Sequence, residues 1–262
     1  MKKTFLTLLI SLLISNSVYA NNDYGFRGPL NFIQVKLLEK TISTQVKKEF
    51  KGSVNTKINS YGAKALRNGV FKSAELELNN CLIEGISISR IQLKTTSIEN
   101  KLDISDLKNI KLLSNIDAEF YTTLSNEDLK SILASSFYKK EIAKINTEIS
   151  PLASINIGDI YCRDDRLFIK MEANTIGIKM NTTCSSKINV EGNNILLKDI
   201  KFNKKNKSIL STNIKKDLEG LNPIKTTIEA LDNSNFDIKP TSINIINDKI
   251  EISGIIKIYN KD

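Results

Sequence analysis

The spacing of apolar residues changes abruptly along this chain. Between Pro29 and Gly52, the residues Ile33, Leu37, Leu38, Ile42, Val46 and Phe50 recur every three to four positions, and Lys36, Lys40, Lys47 and Lys48 fill the other faces. That period predicts a long amphipathic helix. Pro29 suits its first turn, because its fixed φ is already helical, and Gly52 is expected to end it.

Beyond Gly52 the period falls to two. Val54, Thr56 and Ile58 alternate with polar residues, as do Ala74, Leu76 and Leu78, then Ile86 and Ile88, and then Ile116, Ala118 and Phe120. Each run predicts a strand with one side on a core and one in water. The phase slips at Arg90, before Ile91 and Leu93, which predicts a bulge or bend. Asn79-Asn80 and Glu84-Gly85 read as turns. Ser125 followed by Asp128 predicts a capped helix start, with Leu129, Ile132 and Leu133 as its apolar side. A second helical stretch carries Phe137, Ile142, Ile145 and Ile149 and stops before Pro151.

The strand pattern then resumes through Ile155, Leu167, Ile176, Ile188, Ile195 and Phe202, with turns at Asp164-Asp165, Gly192-Asn193-Asn194 and Lys204-Lys205-Asn206. Ile214, Leu218 and Leu221 predict a short helix before Asn222-Pro223, and Ile243 to Ile252 a closing hairpin across Asn247-Asp248. Each half thus runs from helix to antiparallel strands, an α+β chain whose one-sided strands must wrap around something or stack on another sheet.

The N-terminus adds a compartment. Met1, Lys2 and Lys3, the apolar Thr4 to Ile14, and Val18-Tyr19-Ala20 form the layout of a cleavable secretory signal over residues 1–20. The apolar stretch is shorter than the ~20 residues that span a bilayer. The expectation is export to the periplasm or cell envelope, or secretion, with residues 21–262 as a single elongated domain. Loss of Lys2 and Lys3 takes the formal charge from +9 to 9 − 2 = +7. A diffuse Lys surplus fits either an anionic membrane surface or simple solubility.

Two segments resemble one family. The first is Val70-Phe71-Lys72-Ser73-Ala74-Glu75-Leu76-Glu77-Leu78, followed by Cys81 to Ile86 and Ile91-Gln92-Leu93. The second is Leu221-Asn222-Pro223-Ile224, then Phe236 to Ile243 and a strand from Lys249 to Ile258. With Leu124 to Leu129 between them, the chain resembles the LmeA-like bacterial envelope proteins. The resemblance implies a long N-terminal helix wrapped by a highly curved antiparallel sheet, similar to tubular lipid-binding and bactericidal/permeability-increasing folds. It further implies a phospholipid held in an apolar cavity, with no catalytic residues and no cofactor. A lipid-lining stripe is expected at Ile33, Leu37, Ile42 and Val46. The runner-up is an accessory envelope protein that binds another protein.

Candidate chemistry is sparse. The chain has no His, which removes Ser-His and Cys-His catalysis and His-based metal sites. Of Cys81, Cys162 and Cys184, the last two are the pair most suited to a disulfide; the other reading is three buried small side chains. Arg163 is the sole candidate activator of a Cys162 thiolate. Lys198, Lys201, Lys204, Lys205 and Lys207 crowd a hairpin bearing Phe202, a pattern that suits either docking to an anionic bilayer or a solvated turn. Export and few aromatics argue against nucleic acid.

Overall fold

The computed structural model describes residues 29–49, 51–83, 85–96, 100–103, 111–113, 115–149, 153–175, 178–203, 222–231 and 236–259. Helix α1 (Pro29–Glu49) leads into strand β1 (Lys51–Asn59). A short helix α2 (Ala63–Arg67), strand β2 (Val70–Phe71) and the hairpin β3 (Ser73–Ile83) and β4 (Ile86–Thr95) follow. Strands β5 (Asn100–Asp103) and β6 (Lys111–Leu112) join β2 in a small sheet. After β7 (Ile116–Leu124) come helices α3 (Asn126–Ala134) and α4 (Ser136–Ile149). A meander of β8 (Ala153–Arg163), β9 (Arg166–Thr175), β10 (Ile178–Glu191) and β11 (Asn194–Phe202) is next. Helix α5 (Pro223–Leu231) and the hairpin β12 (Phe236–Ile246) and β13 (Lys249–Ile258) complete the fold.

The α+β, antiparallel expectation holds, but the two halves are interleaved. The six-stranded sheet runs β1-β3-β4-β7-β13-β12, so the C-terminal hairpin is built onto β7; the meander forms its own sheet, β11-β10-β9-β8. Register aligns the apolar positions of the large sheet into rows. One crosses all six strands: Thr56, Leu76, Leu93, Phe120, Gly254 and Pro240. The opposite face carries Lys57, Glu75, Lys94 and Glu119 in neighbouring positions, so unlike charges alternate across the strands. One hydrophobic cluster joins the inner face of this sheet to that of the meander through Ile132, Tyr138 and Ile224 of the helices between them.

Gly254 sits in the middle of that row. A methyl group there would lie 2.6 Å from Phe120 Cε1 and 2.8 Å from Pro240 Cα, and would collide with the Lys239 carbonyl oxygen. The Phe120 ring therefore occupies the space that any larger residue at position 254 would need.

The phase slip at Arg90 is a bend with no bulge between β3 and β4; the register shift falls between β1 and β3, at Lys51 to Ser53. Leu78 pairs with Ile91 and Cys81 with Ile88 in unbroken register, yet all four face the inner side. Both strands therefore switch face together. Asn80 absorbs the change with φ 51, so Asn79-Asn80 is a mid-strand bend and not the turn expected from its residue types. Gly52 lies against it: a methyl group there would approach the Asn79 and Asn80 carbonyl oxygens to 2.6 and 2.7 Å. This explains why Gly52 belongs to β1 and α1 ends at Glu49, before it. The Asp164-Asp165 and Asn247-Asp248 hairpins fall where expected, with all four residues at φ between 50 and 58, as tight hairpin turns require.

The helices lie along strand edges. Glu39 of α1 is buried, and its Oε1 accepts the Ile58 amide of edge strand β1 at 2.9 Å. The first part of β4 extends past the end of β7, and α3 answers its free amides: Ser131 Oγ accepts Ser87 N at 2.8 Å and Asp128 Oδ2 accepts Ser89 N at 3.0 Å. The same Asp128 oxygen receives the Ser125 amide at 2.7 Å, the Ser125 hydroxyl at 2.8 Å and the Ser89 hydroxyl. Ser125 and Asp128 thereby complete the capping box that the sequence predicts. On edge strand β8, the Asn126 side chain accepts Cys162 N at 2.7 Å and donates to its carbonyl at 3.3 Å. Asn146 of α4 does the same for Ile155, at 2.6 and 2.9 Å.

Replacing the buried Asp128 by Ala strands the half-buried Ser89 and Ser125 amides. Each charged-acceptor bond contributes about 1.5–3 kcal/mol, so Asp128→Ala is expected to lower unfolding free energy by about 3 kcal/mol or more. Urea titration checks this through a lower midpoint at unchanged slope. Gly254→Ala is expected to cost about 1–3 kcal/mol by overpacking, and the double variant Gly254→Ala with Phe120→Leu to cost less than the sum of the two.

Candidate functional site

Helices α3 and α5 both pack against the six-stranded sheet. Asn222 caps α5, its Oδ1 accepting Ile224 N at 3.2 Å and Lys225 N at 3.4 Å, while its Nδ2 donates to Ile195 O on edge strand β11 at 3.2 Å. Pro223 then occupies the first helical position, where its missing N–H costs nothing. This anchors α5 over β4, β7, β12 and β13, and a cavity of about 90 Å³ remains between helix and sheet. Ile91, Phe120, Thr122 and Ile252 line it from the sheet, Ile224 and Ile228 from the helix. Thr227 also borders it, but the Thr122 and Thr227 hydroxyls donate to the Arg90 and Pro223 carbonyl oxygens, so the surface they present is apolar. A partly open pocket of this kind offers water no hydrogen-bond partner and disfavours charged groups. It suits a hydrocarbon segment and no proton transfer.

On the opposite face of the same sheet a groove of about 690 Å³ crosses the strands. Lys57, Glu77, Gln92, Lys94, Glu119 and Tyr121 line it together with the apolar Leu76, Leu93, Phe120 and Ile255. Glu77 is held by Arg90 at 2.7 Å.

The four helix residues expected to line a lipid site do not share a face. Ile42 and Val46 are buried with Leu38, whereas Ile33 and Leu37 are 59% and 54% exposed. The steps in that stripe are four, five and four, and at about 100° per residue the five-residue step from Leu37 to Ile42 carries the second pair about 140° round the helix; the buried side follows Leu38, Ile42 and Val46 instead. None of the four borders the cavity, because α1 packs beside edge strand β1 and not beneath the sheet centre. α5, whose Asn222-Pro223 signature reads as a helix start, was missed as a helix because that dipeptide also reads as a terminator.

Cys162 and Cys184 are free and buried, as is Cys81, so of the two readings of the cysteines the structure has three buried small side chains and not the disulfide. Cys162 and Cys184 belong to β8 and β10, on either side of β9. Cys162 pairs with Leu167 and Cys184 with Ile169, so two strand spacings of about 9–10 Å plus a two-residue offset separate them, beyond the ~7 Å limit for a bridge. Desolvation pushes the Cys162 thiol up to about 12, and the Cys81 and Cys184 thiols up to about 11. Arg163 does not activate its neighbour: it points to the other face, with its guanidinium 5.2 Å from the Phe168 ring centre. Phe168 in turn stacks on Tyr161 at 5.2 Å.

The basic hairpin is also less positive than its sequence. Lys201 pairs with Asp199 at 3.2 Å and Lys198 with Glu191 at 2.9 Å. Hydrogen bonds from Arg166 and then Lys201 hold the Asp199 carboxyl below its ordinary value. Phe202 packs partly against the core. Lys204, Lys205 and Lys207 lie outside the described residues, as do the signal segment 1–20, the turn at Lys204-Lys205-Asn206, Ile176 and the helix expected at Ile214 to Leu221. Among the described residues there is no cluster of three or more His, Cys, Asp or Glu, and no helix is long and apolar enough to cross a membrane.

Because burial raises all three thiols, an aromatic disulfide reagent at pH 8 is expected to label none in the native protein and three after denaturation. The protonated thiols favour the folded state fully below pH 9. That contribution falls as pH rises through about 11 to 12. A triple Cys→Ala variant should therefore show a shallower alkaline decline in melting temperature than the parent.

Comparison with protein-family models, with curated proteins and with solved structures finds no match to this chain.

Proposed function

We propose that this chain is a non-enzymatic phospholipid-binding protein of the bacterial cell envelope, exported through residues 1–20, whose large sheet curls in the manner of tubular lipid-binding folds. The acyl chain lies between α5 and the inner face of that sheet. The observation that carries the reading is the partly open, apolar-surfaced pocket of about 90 Å³ bordered by Ile91, Ile224 and Ile228. Its size is below the ~150 Å³ of a cavity that takes up benzene, so it seats a short hydrocarbon segment, and a longer chain enters as α5 moves outward. The absence of His from the sequence and the raised thiols support a binding role over a catalytic one. A second reading, an accessory protein that binds another envelope protein, draws on the groove of about 690 Å³ across the polar face.

Ile228→Trp places new volume in the cavity from the α5 side. In a filled core such a change costs about 1–3 kcal/mol. Here the melting temperature is expected to stay near that of the parent while acyl lipids extracted from the purified protein, identified by mass spectrometry, disappear. A parent protein that carries no lipid, or a variant that melts several degrees lower with its lipid retained, defeats the lipid reading and favours the protein-binding one.

A further inference from the structure

Helix α1 presents an outer arc that nothing in the fold requires. Its buried side is complete: Leu38, Ile42 and Val46 are in the core, and Glu39 is engaged with the Ile58 amide. On the far side, Phe32, Ile33 and Leu37 are 64%, 59% and 54% exposed. Single exposed apolar residues are ordinary. Three large ones within the first turns of one helix, on the same arc, form a patch.

The charge on this arc has one sign. Lys36, Lys40, Lys47 and Lys48 are exposed along it, and the acidic Glu39 is turned to the buried side. Lys36 bonds Glu39 at 2.7 Å and lies 5.9 Å from the Phe32 ring centre, which leaves Lys40, Lys47 and Lys48 to set the outward charge. We propose that this arc of α1 docks the protein onto an anionic phospholipid bilayer. Phe32, Ile33 and Leu37 enter the boundary between headgroups and acyl chains, and the lysines meet the lipid phosphates. At a bilayer surface apolar side chains sink about 5–10 Å and lysines meet the phosphates; here Phe32, Ile33 and Leu37 lie in the first turns of the helix, and Lys40, Lys47 and Lys48 follow them along the same exposed side. A protein partner fits less well, since protein interfaces favour Arg and are depleted of Lys, and α1 carries four outward Lys and no Arg. The choice of partner rests on the lipid-binding reading, while the surface itself is separate from the cavity. It is also not the β11 hairpin, whose Lys198 and Lys201 are already paired.

The test is co-sedimentation of the protein, recovered from the envelope fraction, with vesicles of phosphatidylglycerol mixed into phosphatidylcholine, and with phosphatidylcholine alone. The parent is expected to bind the mixed vesicles, to be released by salt, and to bind the neutral ones weakly. Two variants separate the contributions: Phe32→Ser with Ile33→Ser and Leu37→Ser, and Lys40→Gln with Lys47→Gln and Lys48→Gln. All six positions are exposed, so both variants should fold as the parent does. Each is expected to lower the partition coefficient on anionic vesicles by about tenfold or more. Unchanged binding in both variants, equal binding of the parent to neutral vesicles, or no binding at all overturns the proposal. So does a parent that dimerises on size exclusion and becomes monomeric in the Ser variant, which would assign the patch to a second copy of the chain. Ile228→Trp keeps the two questions apart: lost co-extracted lipid with vesicle binding intact leaves docking standing, and intact lipid with lost vesicle binding in the Ser variant leaves the cavity standing.

Discussion

Every strand at the rim of a sheet carries backbone N–H and C=O groups that its own sheet cannot satisfy, and the helices of this protein are arranged to answer them. Glu39 serves β1, Asp128 and Ser131 serve the overhang of β4, Asn126 and Asn146 serve β8, and Asn222 serves β11. Unpaired edges invite addition of foreign strands, and burying them unpaired would cost about 1–3 kcal/mol per group. A carboxylate, hydroxyl or amide delivered from a helix removes both problems and fixes where that helix lies. Asn is well suited to β8, because one amide supplies an acceptor and a donor, as a neighbouring strand would.

The apolar cavity follows from these anchors. α5 is tied at its start through Asn222 to the edge of the smaller sheet, and it must also cover the inner face of the larger one. A helix of nine residues cannot do both without leaving part of that face bare. Thr122 and Ile91 on the sheet and Ile228 on the helix border the gap that is left. The edge-capping network, the orientation of α5 and the cavity are in this sense one arrangement.

Much of this was legible in the sequence. The period-two runs located the major strands, and Ser125 with Asp128 announced the α3 cap. What stayed hidden depends on contacts distant in sequence. That Gly52 stands in a strand is decided by the Asn79 and Asn80 carbonyls, more than twenty residues away. The buried side of α1 is decided by where β1 runs, which no helical period can choose between Leu37 and Leu38. The separation of Cys162 from Cys184 depends on β9 lying between them. The β11 lysines looked unopposed because Asp199 and Glu191, which pair with them, are not distinguishable by sequence from any other surface acid.

The abundance of isoleucine on the inner faces offers a direct test of the central claim, that hydrocarbon enters between α5 and the six-stranded sheet. Isoleucine δ1-methyl spectra would be recorded as a fatty acid or short-chain phosphatidylglycerol is added. The account predicts shifts concentrated at Ile91, Ile224, Ile228, Ile238 and Ile252, with Ile160 and Ile169 of the smaller sheet unmoved. Methyl resonances that do not respond, or shifts confined to residues remote from α5, would contradict it.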